Sequence, residues 1–431
     1  MTVSHLEAAL PGHPHVHYRS GELHVEDVAL RALTAIHGTP LFVYSKAAML
    51  SALASYQRGF AERDAQICYA MKANSSLAVL QIFADAGCGF DIVSGGELER
   101  VLAAGGDAKK IIFSGVGKTR AEMRQALAAG IGCFNVESEA ELAQLSSVAL
   151  GLGKRAPVSI RVNPNVDPKT HPYISTGLKD NKFGVAHEKA LRIYRHAALL
   201  GGVELIGIDC HIGSQITDST PYLDAMDRVL DLVAAIEAAG INLAHIDFGG
   251  GLGIDYNGDQ PPEADALWMQ LLAKLDARGY GRKKLMVEPG RSLVGNAGIC
   301  LTEVLFLKSG EHKNFCIIDA AMNDLPRPAL YQAFHAIVPL DARPTQALAA
   351  TYDVVGPVCE SGDWIGRERE LAVVAGDVLA VLSAGAYCMS MASNYNTRGR
   401  AAEVLVDGSA VHLIRQRESA EDQMRHERLV R

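Results

Sequence analysis

The stretch Tyr69-Ala70-Met71-Lys72-Ala73-Asn74 joins an apolar run, Ile67 to Met71, directly to a lysine. A short apolar run of this kind is typical of a buried strand. A lysine at its end would hold its amine at the rim of a core, where desolvation lowers the lysine pKa and makes the amine a nucleophile toward carbonyl groups. The alternative is an ordinary strand-end lysine that reaches solvent. The residues at other strand ends are needed to choose between the two.

Comparable apolar runs recur along the chain and alternate with segments that carry helix signals. The runs are 67–71, 90–93, 111–113, 132–136, 158–162, 205–210, 244–248 and 284–287. Thr119 with Glu122 and Ser138 with Glu141 fit capping boxes. Glycines stand where helices should end, at positions 87, 105, 130, 201 and 240. About eight strand–helix units in about 250 residues predict an α/β fold, a (β/α)₈ TIM-like barrel, with a doubly wound open sheet as the alternative.

The segments on either side of the predicted barrel have a different pattern. Residues 15–25 predict a hairpin that turns at Ser20-Gly21, and Asp407-Gly408 predicts a second one. Beyond residue 295, short runs rich in branched apolar residues predict a C-terminal antiparallel β-domain, a β-sandwich or Greek-key barrel, which the N-terminal hairpin is expected to join. The predicted strands there are 300–306, 315–319, 377–382, 402–406 and 411–414. The predicted domains are therefore 39–290 for the barrel and 1–38 with 291–431 for the β-domain, and the charged tail from Gln416 is expected to be solvated.

Composition excludes several function classes. The chain has 431 residues and a formal net charge of −8, which argues against a nucleic-acid surface. The N-terminal residues lack the apolar core of a signal peptide, and no apolar run is long enough to cross a membrane. Eight scattered cysteines without a C-x-x-C pair favour a reduced, cytoplasmic protein without disulfides or zinc. His13, His15 and His17 alternate, but they fit the polar face of a strand better than a metal site, so no metal is expected.

Polar, glycine or titratable residues follow nearly every predicted barrel strand. In order these are Lys72; Asp91 and Ser94; Ser114-Gly115; Asn135 and Glu137; Arg161 and Asn163; His211 to Gln215; Gly249 to Gly253; and Glu288 to Arg291. Functional groups of parallel barrels gather at the carboxyl ends of the strands. Packing alone does not explain this pattern, so it predicts an active site at that end.

The types of these residues indicate one cofactor, pyridoxal 5′-phosphate. Lys72 could form a Schiff base, and the backbone N–H groups of the Gly249–Gly251 run could hold a phosphate. A carboxylate at Glu288 would keep a pyridine nitrogen protonated, and His211 could stack on a flat ring. Each feature has a plainer alternative: a tight turn for the glycines, a salt bridge to Arg291 for Glu288, and a structural role for the histidine.

Motifs along most of the chain resemble those of the diaminopimelate decarboxylase family, within the alanine-racemase-like, fold type III pyridoxal-phosphate-dependent decarboxylases. They run in the family's order from about residue 15 to about residue 415. The matching pieces are 69–74, 90–94, 211–215, 249–253, Glu288-Pro-Gly-Arg291, Asp319 to Asp324, Arg327-Pro-Ala-Leu-Tyr331, Cys359-Glu-Ser-Gly-Asp363 and Gly385-Ala-Tyr387.

The resemblance implies a role for each matching position. Lys72 would carry the cofactor, with His211 stacked on its ring and Glu288 on its nitrogen. Support and phosphate contacts would come from Asp91, Arg161, Ser214, Gly250, Gly251, Gly290, Arg291 and Tyr387. Cys359 would be the acid that protonates the α-carbon, although a small buried cysteine is the plainer alternative. The family is a homodimer with shared active sites, into which the partner contributes Cys359 and Glu360, and residues 163–183 would form a mobile loop.

The implied substrate is a small amino acid, meso-2,6-diaminopimelate, and the implied products are L-lysine and carbon dioxide. Its far end carries a carboxylate and an ammonium, so a guanidinium is the expected binding group. The substrate residues would be Arg291, Arg327, Tyr331, Glu360 and Tyr387, with Arg327 discriminating among substrates. The alternatives are a same-fold decarboxylase of ornithine, arginine or a D-amino acid, a racemase of the alanine-racemase type, and a non-catalytic cofactor-binding relative, which would be expected to lack Lys72 or Cys359.

Overall fold

The computed structural model describes residues 9–10, 12–168, 170–171, 174, 181–342 and 347–430. Its backbone contacts divide the chain into two compact units. We call residues 52–253 and 260–292 the barrel unit. The described parts of residues 1–51, 254–259 and 293–431 form the sheet unit. No helix in the described ranges is both long and apolar enough to cross a membrane.

The chain begins with a small antiparallel sheet of short strands, whose bounds are β1 Ala9–Leu10, β2 His13–Arg19, β3 Glu22–Val25 and β4 Val28–Ala29. Ser20 and Gly21 both have positive φ, 52° and 82°, as the two central residues of a tight hairpin turn require. The predicted N-terminal hairpin is therefore confirmed. Next come helix α1 Leu30–His37, strand β5 Leu41–Ser45 and helix α2 Lys46–Phe60.

A closed parallel barrel follows. Its strands are β6 Ala65–Ala70, β7 Gly89–Ile92, β8 Ile111–Phe113, β9 Cys133–Val136, β10 Ala156–Asn163, β12 Val203–Asp209, β13 His245–Asp247 and β14 Lys284–Val287; the two-residue strand β11 Val185–Ala186 pairs with β10 outside the ring. The ring closes where β14 pairs with β6 and where β10 pairs with both β9 and β12. The predicted (β/α)₈ barrel is confirmed, and because the sheet closes, the open-sheet alternative is wrong.

The helices between these strands start and stop largely where the sequence predicts. They are α3 Leu77–Asp85, α4 Gly95–Ala103, α5 Arg120–Ala129, α6 Glu139–Gly151, α7 His187–Ala197, α8 Thr220–Ala238 and α9 Ala264–Ala277. Thr119 and Glu122 form the predicted capping box on α5. The box predicted at Ser138 is only half formed, because the Glu141 carboxylate accepts from the Glu137 N–H (2.9 Å) and from Lys118 (2.7 Å) instead.

The rest of the chain builds a mixed sheet. Its elements are α10 Arg291–Val294, β15 Gly298–Ser309, β16 Asn314–Ile318, α11 Pro326–Tyr331, β17 Ile337–Pro339, β18 Ala350–Val355, β19 Trp364–Leu371, β20 Val378–Val381, β21 Ala402–Asp407, β22 Ala410–Arg415 and α12 Ala420–Met424. The strand order is β19-β18-β16-β15-β5-β21-β22, with β20 pairing to β15 and β17 to β20. The predicted hairpin at Asp407-Gly408 joins β21 to β22.

The sheet differs from the antiparallel prediction at two pairings. β16 with β18 and β5 with β21 run parallel. The second arises because Leu41–Ser45, every residue of which is buried, enters from the N-terminal side and fits between β15 and β21. This strand falls inside the range 39–290 that the sequence assigned to the barrel. The N-terminal hairpin shares the sheet unit's core, where Val16 and Leu23 cluster with Leu301 and Val404.

Candidate active site

Lys72 lies in a single 3₁₀ turn, Met71–Ala73, immediately after β6. Its Nζ forms an ion pair with Asp91 on the neighbouring strand β7, and its side chain remains 40% exposed while that of Asp91 is fully buried. The second carboxylate oxygen of Asp91, Oδ1, has no hydrogen-bond partner among the described residues. The amine is therefore held at the rim of the barrel core rather than extended into solvent.

A cluster of buried carboxylates lies beside this amine. Asp209 and Asp247 end β12 and β13 and are register partners, and Glu288 follows β14. Each of the three offers an oxygen within 4.8 Å of the others. Burial, followed by repulsion from Asp91, Asp247 and Asp209, raises the pKa of Glu288 well above its usual range.

The same environment acts on Asp209. Burial raises its pKa to about 7, although the nearby cation of Arg161 opposes that rise. Arg161 is itself buried and pairs with Glu137 (Nη1 to Oε1, 3.2 Å) and Asp209 (Nε to Oδ2, 3.9 Å). In the described part of this site, the carboxylates of Asp91, Asp209, Asp247 and Glu288 outnumber the nearby cations of Lys72 and Arg161. This end of the barrel therefore favours a positively charged group.

Glu288 is held by neutral donors. The Asn135 amide donates to Glu288 Oε1 (3.1 Å) and to Ser114 Oγ (3.2 Å), and the Ser114 hydroxyl lies 3.5 Å from the same Glu288 oxygen. Hydrogen bonds donated to a carboxylate favour its ionised form. Asn135 therefore fixes the direction of the Glu288 carboxylate without supplying a charge to neutralise it.

The glycine run after β13 lies in a turn that has no room for side chains. Gly249 and Gly251 have positive φ, 64° and 107°. A Cβ at Gly250 would overlap the carbonyl oxygen of Glu288, and one at Gly251 would overlap that of Gly213. This turn can therefore adopt its observed backbone only with glycine at these positions.

His211 lies against that turn. The Gly250 N–H donates to His211 Nδ1 (3.1 Å), so in this arrangement the imidazole is neutral and its proton is on Nε2. Burial, with Arg161 and Lys72 nearby, lowers the pKa of His211 well below its usual value. A neutral, half-buried imidazole is suited to lie against a flat ring rather than to pair with an anion.

The loop after β14 adds two further predicted residues. Arg291 donates from Nη2 to Ser214 Oγ (2.9 Å), and a Cβ at Gly290 would lie 3.1 Å from the carbonyl oxygen of Ala70. Strands β13, β14, β6 and β7 are consecutive neighbours in the barrel. An amine, a buried acid and a side-chain-free turn are therefore brought together at one mouth of a closed sheet.

Comparison with known proteins identifies this arrangement. A family model described as pyridoxal-dependent decarboxylase, pyridoxal binding domain, matches residues 46–295. A diaminopimelate decarboxylase of Neisseria meningitidis is 56% identical over 405 residues, 94% of this chain and 98% of that protein. One from Pseudomonas aeruginosa is 54% identical over 408 residues, covering 94% and 96%. The chain belongs to the diaminopimelate decarboxylase family.

Structural likeness agrees with this membership of the diaminopimelate decarboxylase family. The crystal structure of a diaminopimelate decarboxylase from M. jannaschii in complex with L-lysine matches with a TM-score of 0.92 at 38% identity, over 98% of this chain and 99% of that one. A complex of the Helicobacter pylori protein with L-lysine matches with a TM-score of 0.87 at 40% identity, over 92% and 98%. The match extends over the sheet unit as well as the barrel.

Pyridoxal phosphate is the cofactor of this diaminopimelate decarboxylase family member, and the barrel residues fit it. The turn at Gly250 and Gly251 carries no side chains that would cover its backbone from a phosphate, although the Gly250 N–H donates to His211. Glu288 is a buried acid, and the donors to its Oε1 among the described residues are neutral, which suits a cationic ring nitrogen. Lys72 supplies the amine beside it.

The remaining predicted residues belong to the sheet unit. Arg327 and Tyr331 lie on α11, and Arg327 is 5% exposed. Cys359 and Glu360 are both exposed, and the Cys359 N–H donates to Asn396 Oδ1 (2.9 Å). The plainer alternative of a small buried residue is therefore wrong for Cys359; the other cysteines are buried. Tyr387, the last of the predicted site residues in this unit, has a positive φ of 57°.

Part of the predicted mobile loop, 163–183, lies outside the described residues. These positions are 169, 172–173 and 175–180, and they include Ser175-Thr-Gly177.

Several residues of the site were not predicted from the sequence. Asp209 and Asp247 were hidden inside apolar runs, yet each follows an isoleucine at the end of a strand, in Ile208-Asp209 and Ile246-Asp247. An acid at that position of a buried run was the available signal. Asn135 follows a predicted strand, but no sequence feature links it to Glu288.

Proposed function

We propose that this chain catalyses the pyridoxal-phosphate-dependent decarboxylation of meso-2,6-diaminopimelate to L-lysine and carbon dioxide, the last step of lysine biosynthesis. The relatives with 54–56% identity over nearly the whole chain support this reaction. The observation that carries the chemistry is the placement of Lys72, Glu288 and the Gly249–Gly251 turn on adjacent strands of one barrel mouth. The presence of both Lys72 and Cys359 argues against a non-catalytic relative.

In this proposal the barrel unit holds the cofactor. Lys72 bonds to it through its amine, and Glu288, directed by Asn135, pairs with the ring nitrogen. The bound cofactor supplies a protonated ring that accepts the electron pair left when carbon dioxide departs. His211 covers one face of the ring. The supporting and phosphate-binding residues are Asp91, Arg161, Ser214, Gly250, Gly251, Gly290, Arg291 and Tyr387.

The sheet unit supplies groups for the substrate. The Cys359 thiol delivers a proton to the α-carbon, and Glu360 pairs with the ammonium at the far end of the substrate. Arg327 binds the carboxylate at that end, with Arg291, Tyr331 and Tyr387 as further substrate contacts. The exposure of Cys359 and Glu360 in a single chain supports a homodimer in which each protomer contributes them to its partner's site. We place this enzyme in the cytoplasm.

The test of this function is a substrate panel with released carbon dioxide measured. The wild type should prefer meso-diaminopimelate over ornithine, arginine, lysine and a D-amino acid. Arg327→Ala should lower kcat/KM for diaminopimelate by about ten- to a hundredfold, because a charge-assisted pair to the far carboxylate is lost, and should leave cofactor absorbance intact. A preference for ornithine or arginine would overturn the substrate, and unchanged kinetics of the variant would overturn the role of Arg327.

Arg367→Ala is the matched control. Arg367 is an exposed arginine of the same unit that stacks on Trp364, with its Cζ 4.1 Å from the ring centroid. Its removal should leave the substrate preference unchanged. A purified protein that is colourless and inert with added cofactor would instead favour a binding protein without catalysis.

A further inference from the structure

Arg327 is fixed by a histidine that the proposed reaction does not use. Its Nη1 lies 2.9 Å from His335 Nε2, and both side chains are buried, His335 completely. His335 Nδ1 lies 2.8 Å from the backbone carbonyl oxygen of Leu382. A carbonyl can only accept, so Nδ1 carries the proton and Nε2 is the acceptor for the guanidinium. The imidazole is therefore neutral and presents one fixed acceptor to Arg327.

An aromatic ring covers the guanidinium as well. Arg327 Cζ lies 4.3 Å from the centroid of Tyr256, a distance at which a cation is attracted to the ring face. The Tyr256 and His335 rings meet edge to face, with centroids 5.4 Å apart and planes at 79°. Tyr256 thus contacts the face of the Arg327 guanidinium, and His335 accepts a hydrogen bond from its edge.

The backbone that carries His335 is itself held. Arg369 donates from Nη2 to the His335 carbonyl oxygen (3.1 Å), and its guanidinium lies 3.8 Å from the ring centroid of Phe334. The Leu382 N–H donates to the Ala336 carbonyl oxygen (2.8 Å), next to the bond that Leu382 receives from His335. The acceptor offered to Arg327 is therefore set by the fold of the sheet unit and not by a mobile side chain.

We propose that His335 and Tyr256 are positioning residues that orient the Arg327 guanidinium for one carboxylate and thereby set the preference for a substrate with an acid at its far end. This inference rests on the proposed role of Arg327. A guanidinium recognises a carboxylate through a planar fork, so affinity depends on the orientation of that plane. An arginine free to rotate would have to be ordered each time the substrate binds. His335 and Tyr256 remove that cost in advance without adding a charge that would compete for the carboxylate.

The experiment compares His335→Phe with His335→Gln in the full-length enzyme with cofactor bound. His335→Phe keeps a flat ring but removes the acceptor, and it should raise KM for meso-diaminopimelate about tenfold while kcat changes less than about twofold. His335→Gln can present an amide oxygen near the position of Nε2 and should restore most of the affinity. Cofactor absorbance should stay unchanged in both variants, and turnover of substrates without a far carboxylate should not fall.

A double-mutant cycle separates positioning from a general structural effect. In an Arg327→Ala background, His335→Phe should cause no further rise in KM. An additive rise, or loss of cofactor absorbance, would overturn the proposal, as would a normal KM for His335→Phe beside an impaired Arg327→Ala. If Arg327→Ala itself has normal kinetics, the proposed function of Arg327 fails instead.

Tyr256 provides the same test if His335→Phe does not fold. Tyr256→Phe keeps the ring face and should raise KM less than Tyr256→Leu, which removes the face and should raise KM with little change in kcat. Equal KM values for these two variants would overturn the inference.

Discussion

The mouth of the barrel and the surroundings of Arg327 solve opposite electrostatic problems. At the barrel mouth the carboxylates of Asp209, Asp247 and Glu288 are buried together, and their pKa values are raised because burial and mutual repulsion penalise the charged forms. In the sheet unit Arg327 keeps its positive charge between a neutral imidazole and an aromatic ring. The first region suits a cation such as a protonated ring nitrogen, and the second suits an anion. The barrel unit is therefore expected to bind the cationic cofactor ring, and the sheet unit is expected to bind an anionic group of the substrate.

The largest effect is expected from a change in the barrel unit. Lys72→Ala removes the amine proposed to attach the cofactor, so kcat should fall by about 10³-fold or more. The visible absorbance of the lysine-bound cofactor should disappear with it. Absorbance spectra and carbon dioxide release measure both effects. Lys109→Ala, at an exposed position of the same unit, is the control and should behave as wild type; substantial turnover by Lys72→Ala would contradict the assignment.

The next effect tests the sheet unit. Cys359→Ala removes the proposed proton donor and should lower kcat by about 10²- to 10⁴-fold, the usual contribution of a general acid. Cofactor absorbance should persist, because no barrel residue changes. Cys359→Ser should be similarly slow, since a hydroxyl is a much weaker acid than a thiol. A variant that loses its colour would show that Cys359 contributes to cofactor binding and would weaken the division of roles between the units.

The same contrast explains what the sequence could and could not predict. Strand-end residues such as Lys72 and Glu288 were predictable because closure of a parallel barrel brings the carboxyl ends of its strands to one face. Asp209 could have been found from its place at the end of an apolar run. Tyr256 and His335 could not, because they approach Arg327 only through tertiary folding, with Tyr256 far away along the chain. The parallel pairing of Leu41–Ser45 with β21 escaped for the same reason.

A smaller effect is expected on stability and concerns Asp209. Its pKa is about 7 in the folded chain against 3.8 for an ordinary aspartate. Between these values the folded state binds more protons than the unfolded state, so this group makes the free energy of unfolding fall as the pH rises from about 4 to 7. An asparagine at this position would not titrate. Relative to wild type, Asp209→Asn should therefore gain stability across that window, by at most about 4 kcal/mol at about 1.4 kcal/mol per pH unit.

Urea unfolding of the cofactor-free chain at several pH values across and just above that window measures the difference. Arg161 keeps its pairing with Glu137 in the variant, so no buried cation is left without a partner. A stability difference that stays constant with pH, or one that moves against the variant as the pH rises, would mean that Asp209 is ionised in the folded chain. Burial at the barrel mouth would then not raise the pKa of Asp209, and the comparison depends on that rise.

The smallest effect tests whether a buried aspartate of the sheet unit behaves differently. Asp363 accepts the backbone N–H groups of Met322 (2.6 Å) and Val358 (2.7 Å), backbone donors that Asp209 lacks among the described residues, and these bonds tie down the segment before Cys359. Burial raises the pKa of Asp363 as it does that of Asp209, but these two N–H groups oppose the rise. Asp363→Asn should lower the free energy of unfolding at neutral pH by about 2–3 kcal/mol, because an amide cannot accept both bonds equally well. Asp27→Asn, which loses an exposed pair with Arg19 in the same unit, is the matched control and should cost under about 1 kcal/mol. Equal losses in the two variants would mean that charge does not hold this segment. The buried Asp363 carboxylate would then contribute no more to the stability of the sheet unit than an exposed one does.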